Sequence, residues 1–334
     1  MPLVEDYHHR HIISTLLFAG EEYDEILKKE ISYVRNCDIS VSDYPSSFGE
    51  MFPLIFNGYR AKKQEFKKID FDDMMWEAEK LLQNDRLCQK YWDRYLFMLL
   101  DEFQDINPIQ FRIVKRILNE RKNIFAVGDD DQSIYGFRGS DPKIMLSFTK
   151  EFNNAKTVCL RYNYRSSKRV VEAAIKLISN NKNRFFKDIR PYQKGTGAVF
   201  CHQFVSDEQE AFFICSRIKK AKENKEKKTV GILYRNHKDA RILQYMLQKF
   251  KLKEEWLHLH TYHGAKGLEF DEVYLIHVNE GLTPSYSPED DVEEERRMFY
   301  VAITRAKNRL YICCIKNRGG KICHPSRFIH ELQS

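Results

Sequence analysis

From about residue 94 onward, short apolar runs alternate with amphipathic stretches of helical period, and this alternation limits the architecture more than any other feature. The strand-like runs are Tyr95–Leu100, Asn123–Val127, Lys156–Leu160, Ala198–Phe204, Thr229–Tyr234, Leu257–Thr261, Glu272–Val278 and Asn308–Ile315. Between most of them lie Ile109–Asn119, Ser167–Asn180, Ser206–Lys222, Lys238–Phe250 and Val292–Thr304, whose apolar residues are spaced for one helix face. Crossover helices cover both faces of the strands they connect, so the pattern predicts an α/β fold of doubly wound parallel sheets. Residues 1–93 read differently: helical, aromatic-rich and without strand signals, interrupted by a turn-like patch at Ser40–Gly49. The sequence shows no internal repeat.

Composition removes several classes. A chain of 334 residues, 43% hydrophobic and 31% charged, can build about two globular domains and is not disordered. Its longest apolar runs, such as Leu96–Leu100, are far too short for a membrane span. The first residues show no apolar core of a secretory signal, and eight cysteines include no CxxC pair. A cytoplasmic chain with free thiols is therefore expected. The excess of 55 basic over 48 acidic residues permits a nucleic-acid partner without requiring one. Ser216–Lys228 holds seven Lys/Arg against two Glu and reads as a solvated helix face. The six acids of Pro288–Glu295 read as a loop and the acidic first turn of the next helix. His8, His9 and His11 lack Cys or acidic partners at ligand spacing and are not read as a metal site.

Two segments concentrate the chemistry. In LLDEFQDINPIQF (99–111) an apolar strand runs straight into Asp101 and Glu102, placing two carboxylates at a sheet's carboxyl edge. One can hold Mg²⁺ and the next can orient or deprotonate a water. Alone, such a pair also reads as a helix-capping turn. The next strand, however, again ends in a polar, glycine-bearing loop, in NIFAVGDDDQSIYGFRGSDP (123–142), which supplies Gln132, Tyr135, Phe137 and Arg138.

With LRYNYRSS (160–167), VGILYRN (230–236), HTYHGAKGLEFDEVYLI (260–276) and EEERRMFYVAITRAKNRLYI (293–312), these segments resemble the ordered motifs of UvrD/Rep/PcrA-type superfamily 1 DNA helicases. The resemblance begins at IDFDDMMWEAEKLL (69–82) and runs to about residue 315. It implies RecA-like, P-loop NTPase-type sheets, ATP and Mg²⁺ as cofactors, and single-stranded or partly duplex DNA as partner. By resemblance, Asp101 binds the metal, Glu102 activates the water and Gln132 contacts the γ-phosphate. Tyr164 stacks on adenine, and Arg165 and Arg305 reach the γ-phosphate from the second domain, coupling ATP state to domain closure. The same resemblance implies that Glu269 binds ribose and that Gly267 and Arg138 join the nucleotide set. Tyr135, Phe137 and His263 are the nucleic-acid candidates, with Phe137 standing where the family often carries Trp. The competing reading of Tyr135 and Phe137 is buried core.

Two departures stand out. The sequence contains no GxxxxGK[ST] phosphate-binding loop; its one Gly-Lys step, Gly320–Lys321, is followed by Ile322. Only 23 residues separate Asn236 from His260, where the family inserts a large helical subdomain. The expected organisation is a helical segment over 1–93, a partial first RecA-like domain over 94–155 and a fuller second one over 156–334. The expected function is a 3′–5′ ATP-dependent DNA helicase or translocase in truncated form, inactive as this chain alone. The alternatives are a non-catalytic nucleic-acid-binding or scaffolding remnant, and half of a split ATPase completed by a partner chain or missing N-terminal segment that carries the phosphate loop.

Overall fold

The computed structural model describes residues 21–226, 228–285 and 291–333. The histidines at 8, 9 and 11 and the acids at 289 and 290 lie outside them. The chain divides between Lys156 and Thr157 into two compact units.

Among its described residues the first unit begins with the helices α1 (Glu21–Asn36), α2 (Phe52–Glu65), α3 (Phe71–Leu81) and α4 (Asp85–Arg94). Leu27, Ile31 and Val34 recur at helical spacing on α1, and Phe52, Ile55, Phe56 and Tyr59 on α2; the two stripes bury each other. Helix α3 starts at a reciprocal cap, with Asp73 N–H donating to Asp70 Oδ1 (2.7 Å) and Asp70 N–H to Asp73 Oδ2 (3.0 Å). Lys63 and Arg35 neutralise both carboxylates, Lys63 Nζ lying 2.7 Å from Asp73 and Arg35 3.2 Å from Asp70. Burial works against the Asp73 charge, but Lys63, the Asp70 N–H and Arg35 outweigh it and hold its pKa at about 2.

Strand β1 (Met98–Leu100), helix α5 (Pro108–Ile117), strand β2 (Ile124–Ala126) and short helices α6 (Pro142–Leu146) and α7 (Phe148–Glu151) complete this unit. The two strands pair in parallel, Met98 opposite Ile124. Their inward residues Leu100, Ile124 and Ala126 pack on Phe103, Phe111 and Phe152. The other face is open: Leu99 and Phe125 are 74% and 63% exposed.

The second unit runs β3 (Tyr162–Asn163), α8 (Lys168–Ile178), β4 (Arg190–Pro191), β5 (Ala198–Ser206), α9 (Asp207–Glu223), β6 (Val230–Tyr234), α10 (Arg241–Lys249), β7 (Leu257–Thr261), β8 (Phe270–Leu275), α11 (Val292–Ile303), β9 (Ala306–Arg318), β10 (Lys321–Ile322) and α12 (Arg327–Gln333). Strands β5–β9–β8–β6–β7 form one parallel sheet in that spatial order. Strand β10 folds back antiparallel on the end of β9. Helices α9 and α10 cover one face, through Ile214, Ile218, Leu243 and Leu247 against Val230, Ile232, Tyr274 and Tyr311. Helix α8 packs on β5 and β9, and α11 on β8 and β9, without entering that cluster. The α/β expectation, parallel sheet with flanking helices, therefore holds.

One strand does not form. Among the described residues Lys156–Leu160 pairs with no strand, and Val158 and Leu160 stand exposed. Pairing begins two residues later, at Tyr162, and joins only the two-residue β4. Alternation marks a segment able to pair, but a ladder also needs a neighbour.

Candidate functional site

Strand β1 delivers Asp101 and Glu102 to its carboxyl end, both exposed. Glu102 takes a left-handed backbone (φ 50°), and its N–H donates to Asp101 Oδ1 at 2.9 Å. The buried side chain of Gln104 holds this turn. Its Nε2 donates to Glu102 Oε2, and its Oε1 accepts the Asp129 N–H at 2.9 Å. The Gln104 carbonyl accepts from Ser133 Oγ at 3.0 Å, so the loops after β1 and β2 are tied together. Gly128 permits this approach, because a Cβ there would lie 2.6 Å from Gln104 Oε1. Gln132 donates from Nε2 to Asp129 Oδ2 at 2.7 Å, and the carboxylates of Asp129, Asp130 and Asp131 lie within 4.8 Å of one another. An exposed pair of oxygen donors such as Asp101 and Glu102 suits Mg²⁺, which takes one or two carboxylates and keeps water and phosphate ligands.

A cavity of about 890 Å³ adjoins the same loop, lined among others by Tyr135, Arg138, Asp105, Tyr59 and Phe71. Tyr135 meets Phe137 edge-on at 6.0 Å, and the Arg138 guanidinium lies over both rings at 5.4 and 5.5 Å. Lys29 Nζ lies 5.7 Å from the Phe137 centroid. Burial, helped by Asp105, raises the Tyr135 hydroxyl pKa. Phe137 is half-buried among these groups, not free in a polar loop as its glycine and arginine neighbours suggest. Phe71, 72% exposed at the start of α3, was missed by motif reasoning. The available signal was the Asp70/Asp73 cap spacing, which leaves the intervening aromatic unused by the fold.

In the second unit the motif NYRSS docks on the first residues of β9. Ser166 Oγ donates to the Ala306 carbonyl and Ser167 N–H to that of Lys307, both at 2.7 Å. Asn163 Oδ1 accepts the N–H groups of Arg165 (3.0 Å) and Ser166 (2.9 Å), an Asx turn that leaves the Tyr164 ring exposed. Arg165 Nε donates to Glu269 Oε2 at 2.9 Å, and Lys307 Nζ reaches Glu269 Oε1 at 2.5 Å. Hydrogen bonds from Lys307 and then Arg165 hold the Glu269 carboxyl below its ordinary pKa. Gly267 turns the chain into this loop at φ 82°, a conformation that favours glycine. His263 sits half-buried in the preceding turn.

Arg305 departs from the expectation of an arginine that reaches outward. It is 1% exposed, and its guanidinium donates to Val301 O (2.9 Å), Leu268 O (3.1 Å) and Thr304 Oγ1 (3.1 Å). Its own carbonyl accepts the Phe270 N–H at 2.9 Å. Arg305 thus grips the backbone on both sides of Glu269. Glu269, Arg305 and Lys307 all cluster at the amino ends of β8 and β9, opposite the edge where open α/β sheets usually bind ligands.

This ring, guanidinium and carboxylate can serve a base, a phosphate and a ribose. The pattern GxxxxGK[ST] does not occur in the sequence.

Two family models match the chain. One is the UvrD/REP helicase N-terminal domain, over residues 20–153. The other is the UvrD-like helicase C-terminal domain, over residues 158–258 and 243–317. Among curated relatives, the "Putative ATP-dependent DNA helicase YjcD" of Bacillus subtilis (strain 168) is 34% identical over 220 residues, which are 65% of this chain and 29% of that protein. The ATP-dependent DNA helicase PcrA of Staphylococcus aureus is 31% identical over 225 residues, 67% of this chain and 30% of that protein. The chain therefore spans about 30% of the length of the curated relatives it matches. A solved C-terminal domain of a possible DNA helicase from Lactobacillus plantarum matches 51% of this chain and 94% of its own, at 17% identity and a TM-score of 0.36.

Proposed function

Because the chain belongs to the UvrD/REP helicase family, we propose that it serves ATP-driven movement along or unwinding of DNA, in the 3′–5′ direction its motifs resemble. The observation that carries this reading is the exposed Tyr164 ring beside the Arg165–Glu269 pair, a group of side chains the core does not use. Tyr164 would stack on adenine, Glu269 accept from ribose hydroxyls, and Arg165 turn from Glu269 to an equatorial phosphate oxygen. Arg305 acts here as a positioning residue for Glu269. In the first unit Asp101 would hold Mg²⁺, which neutralises phosphate charge when bound. Glu102, kept in place by Gln104, would orient and deprotonate the water, and Gln132 would sense the γ-phosphate. Tyr135, Phe137, Phe71 and His263 would meet DNA bases and backbone, and Arg138 beside them the nucleotide.

The inner phosphates need a nest and a lysine that none of the 334 residues forms as GxxxxGK[ST]. Turnover therefore depends on a phosphate loop from outside these residues. The open face of β1–β2 favours this split reading, since a parallel pair exposing Leu99 and Phe125 is one that a further strand and helix would cover. Steady-state ATP hydrolysis with single-stranded DNA tests the proposal. The chain alone should be near background, and fusion to a phosphate-loop segment should bring turnover that Glu102→Gln abolishes. Turnover by the chain alone refutes the dependence on an outside loop; a restored but inactive, DNA-binding fusion favours the scaffold reading.

A further inference from the structure

Residues 188–193, Asp-Ile-Arg-Pro-Tyr-Gln, belong to none of the motifs described above, yet they are built into the Tyr164 loop. Strand β4 pairs in parallel with β3, Tyr162 opposite Arg190 and Asn163 opposite Pro191. Pro191 has no N–H, so the flanking residues make the ladder bonds: Arg190 N–H donates to Arg161 O (2.6 Å) and Tyr192 N–H to Asn163 O (2.9 Å). One step further in the same register, Tyr192 falls beside Tyr164. The ring centroids are 4.5 Å apart at an interplanar angle of 43°, and Tyr162 meets Tyr192 edge-on at 6.2 Å. The next residue, Gln193, donates from Nε2 to the carbonyls of Tyr164 (2.8 Å) and Arg165 (3.2 Å).

Tyr164 and Tyr192 remain 63% and 61% exposed, so this pairing buries little and adds little to the core. Its effect is local. Tyr192 packs on the Tyr164 ring, and Gln193 fixes the backbone from which both Tyr164 and Arg165 project. An unbraced exposed tyrosine would lose side-chain freedom on each stacking event; a braced one has already lost much of it.

We propose that Tyr192 and Gln193 are positioning residues that present the Tyr164 ring to the base of a purine nucleoside triphosphate. This rests on the nucleotide reading of Tyr164 given above. The test is a fluorine NMR titration of the fluorotyrosine-labelled chain with ATP and, separately, with inorganic tripolyphosphate. Tyr192→Ala should weaken ATP binding roughly three- to tenfold, the size of one aromatic pair. Gln193→Ala should weaken it similarly, and Tyr192→Phe, which keeps the ring, should bind as wild type does. Tripolyphosphate, which has no base, should bind Tyr192→Ala and Tyr192→Phe as it binds wild type.

If Tyr192→Ala binds ATP as wild type does while Tyr164→Ala loses it, the brace is refuted and the nucleotide reading stands. If wild type does not respond to ATP, or Tyr164→Ala changes nothing, both fall. Parallel loss of tripolyphosphate binding in Tyr192→Ala would mean a general structural defect and would also overturn the inference.

Discussion

Arg165 and Glu269 hold one another across 104 residues of sequence, Nε to Oε2 at 2.9 Å, with Lys307 on the second carboxylate oxygen. In the proposed site each is assigned a different part of the nucleotide, so the bound ribose and the carboxylate's present partner compete. The pair is more than one-third exposed, and exposed pairs contribute only about 0–1 kcal/mol to stability. Glu269→Gln should therefore leave the thermal melt nearly unchanged while lowering nucleotide affinity. A marked loss of melting temperature would mean that Glu269 is a structural anchor.

Arg305 should behave in the opposite way. A buried guanidinium that donates to Leu268 O, Val301 O and Thr304 Oγ1 cannot be shortened without taking the side-chain donor from the Leu268 carbonyl, since Val301 O keeps the Thr304 hydroxyl, and Arg305→Ala should cost about 1–3 kcal/mol. Chemical denaturation measures this directly. A variant that keeps its midpoint but loses nucleotide contact would restore Arg305 as a phosphate ligand.

The contrast between these two arginines marks what the sequence can reveal. Both sit in motifs that resemble the same family, and spacing alone gives each the same outward role. Burial separates them, because it depends on Leu268 and Val301 closing over one guanidinium and not the other. The strand running into Asp101 was legible from its apolar run, and α5, α8, α9 and α11 from their periodicity. Lys156–Leu160 was misread because pairing is non-local. Gln104 and Gln193 were invisible for the same reason: an amide is unremarkable until the backbone atoms it bonds are known. The placement of Glu269, Arg305 and Lys307 at the amino ends of their strands needed the parallel order of β8 and β9.

Phe137 separates DNA contact from packing. It is half-buried, with Tyr135 at its edge and two cations over its face, so Phe137→Ala should destabilise the first unit by less than the roughly 3–5 kcal/mol of a core phenylalanine. If the ring stacks on a base, single-strand binding should weaken by about 1–3 kcal/mol with little dependence on base identity. Fluorescence anisotropy on a labelled oligonucleotide, beside a thermal melt, reads both. Binding unchanged with a full core-sized loss of stability would remove Phe137 from the DNA surface.

The second unit should also lose stability as pH rises through neutrality. His277, in a left-handed turn (φ 53°) after β8, places Nε2 3.0 Å from Asp207 and 3.1 Å from Glu210. Arg318 faces the same cluster from β9, 3.7 Å from Asp207 and 2.9 Å from Asp239. Burial pushes Glu210 up to about 7, with His277 pulling it part of the way back. Burial alone would lower His277, but Glu210 and then Asp207 outweigh it and raise the imidazole above its ordinary value. Both groups thus bind protons more tightly folded than unfolded: the Glu210 contribution is complete below its ordinary value of 4.5 and is lost as pH rises from there to about 7, and the His277 contribution is lost above its ordinary value of 6.5. For Glu210 the rise from 4.5 to about 7 corresponds to on the order of 3 kcal/mol, or roughly 6–12 °C for a unit of this size. Melts between pH 5 and 8 should show a falling midpoint in wild type and a flatter profile in Glu210→Gln, which cannot ionise. A midpoint that rises across that window, or a Glu210→Gln profile as steep as wild type, would mean that this cluster does not govern the dependence.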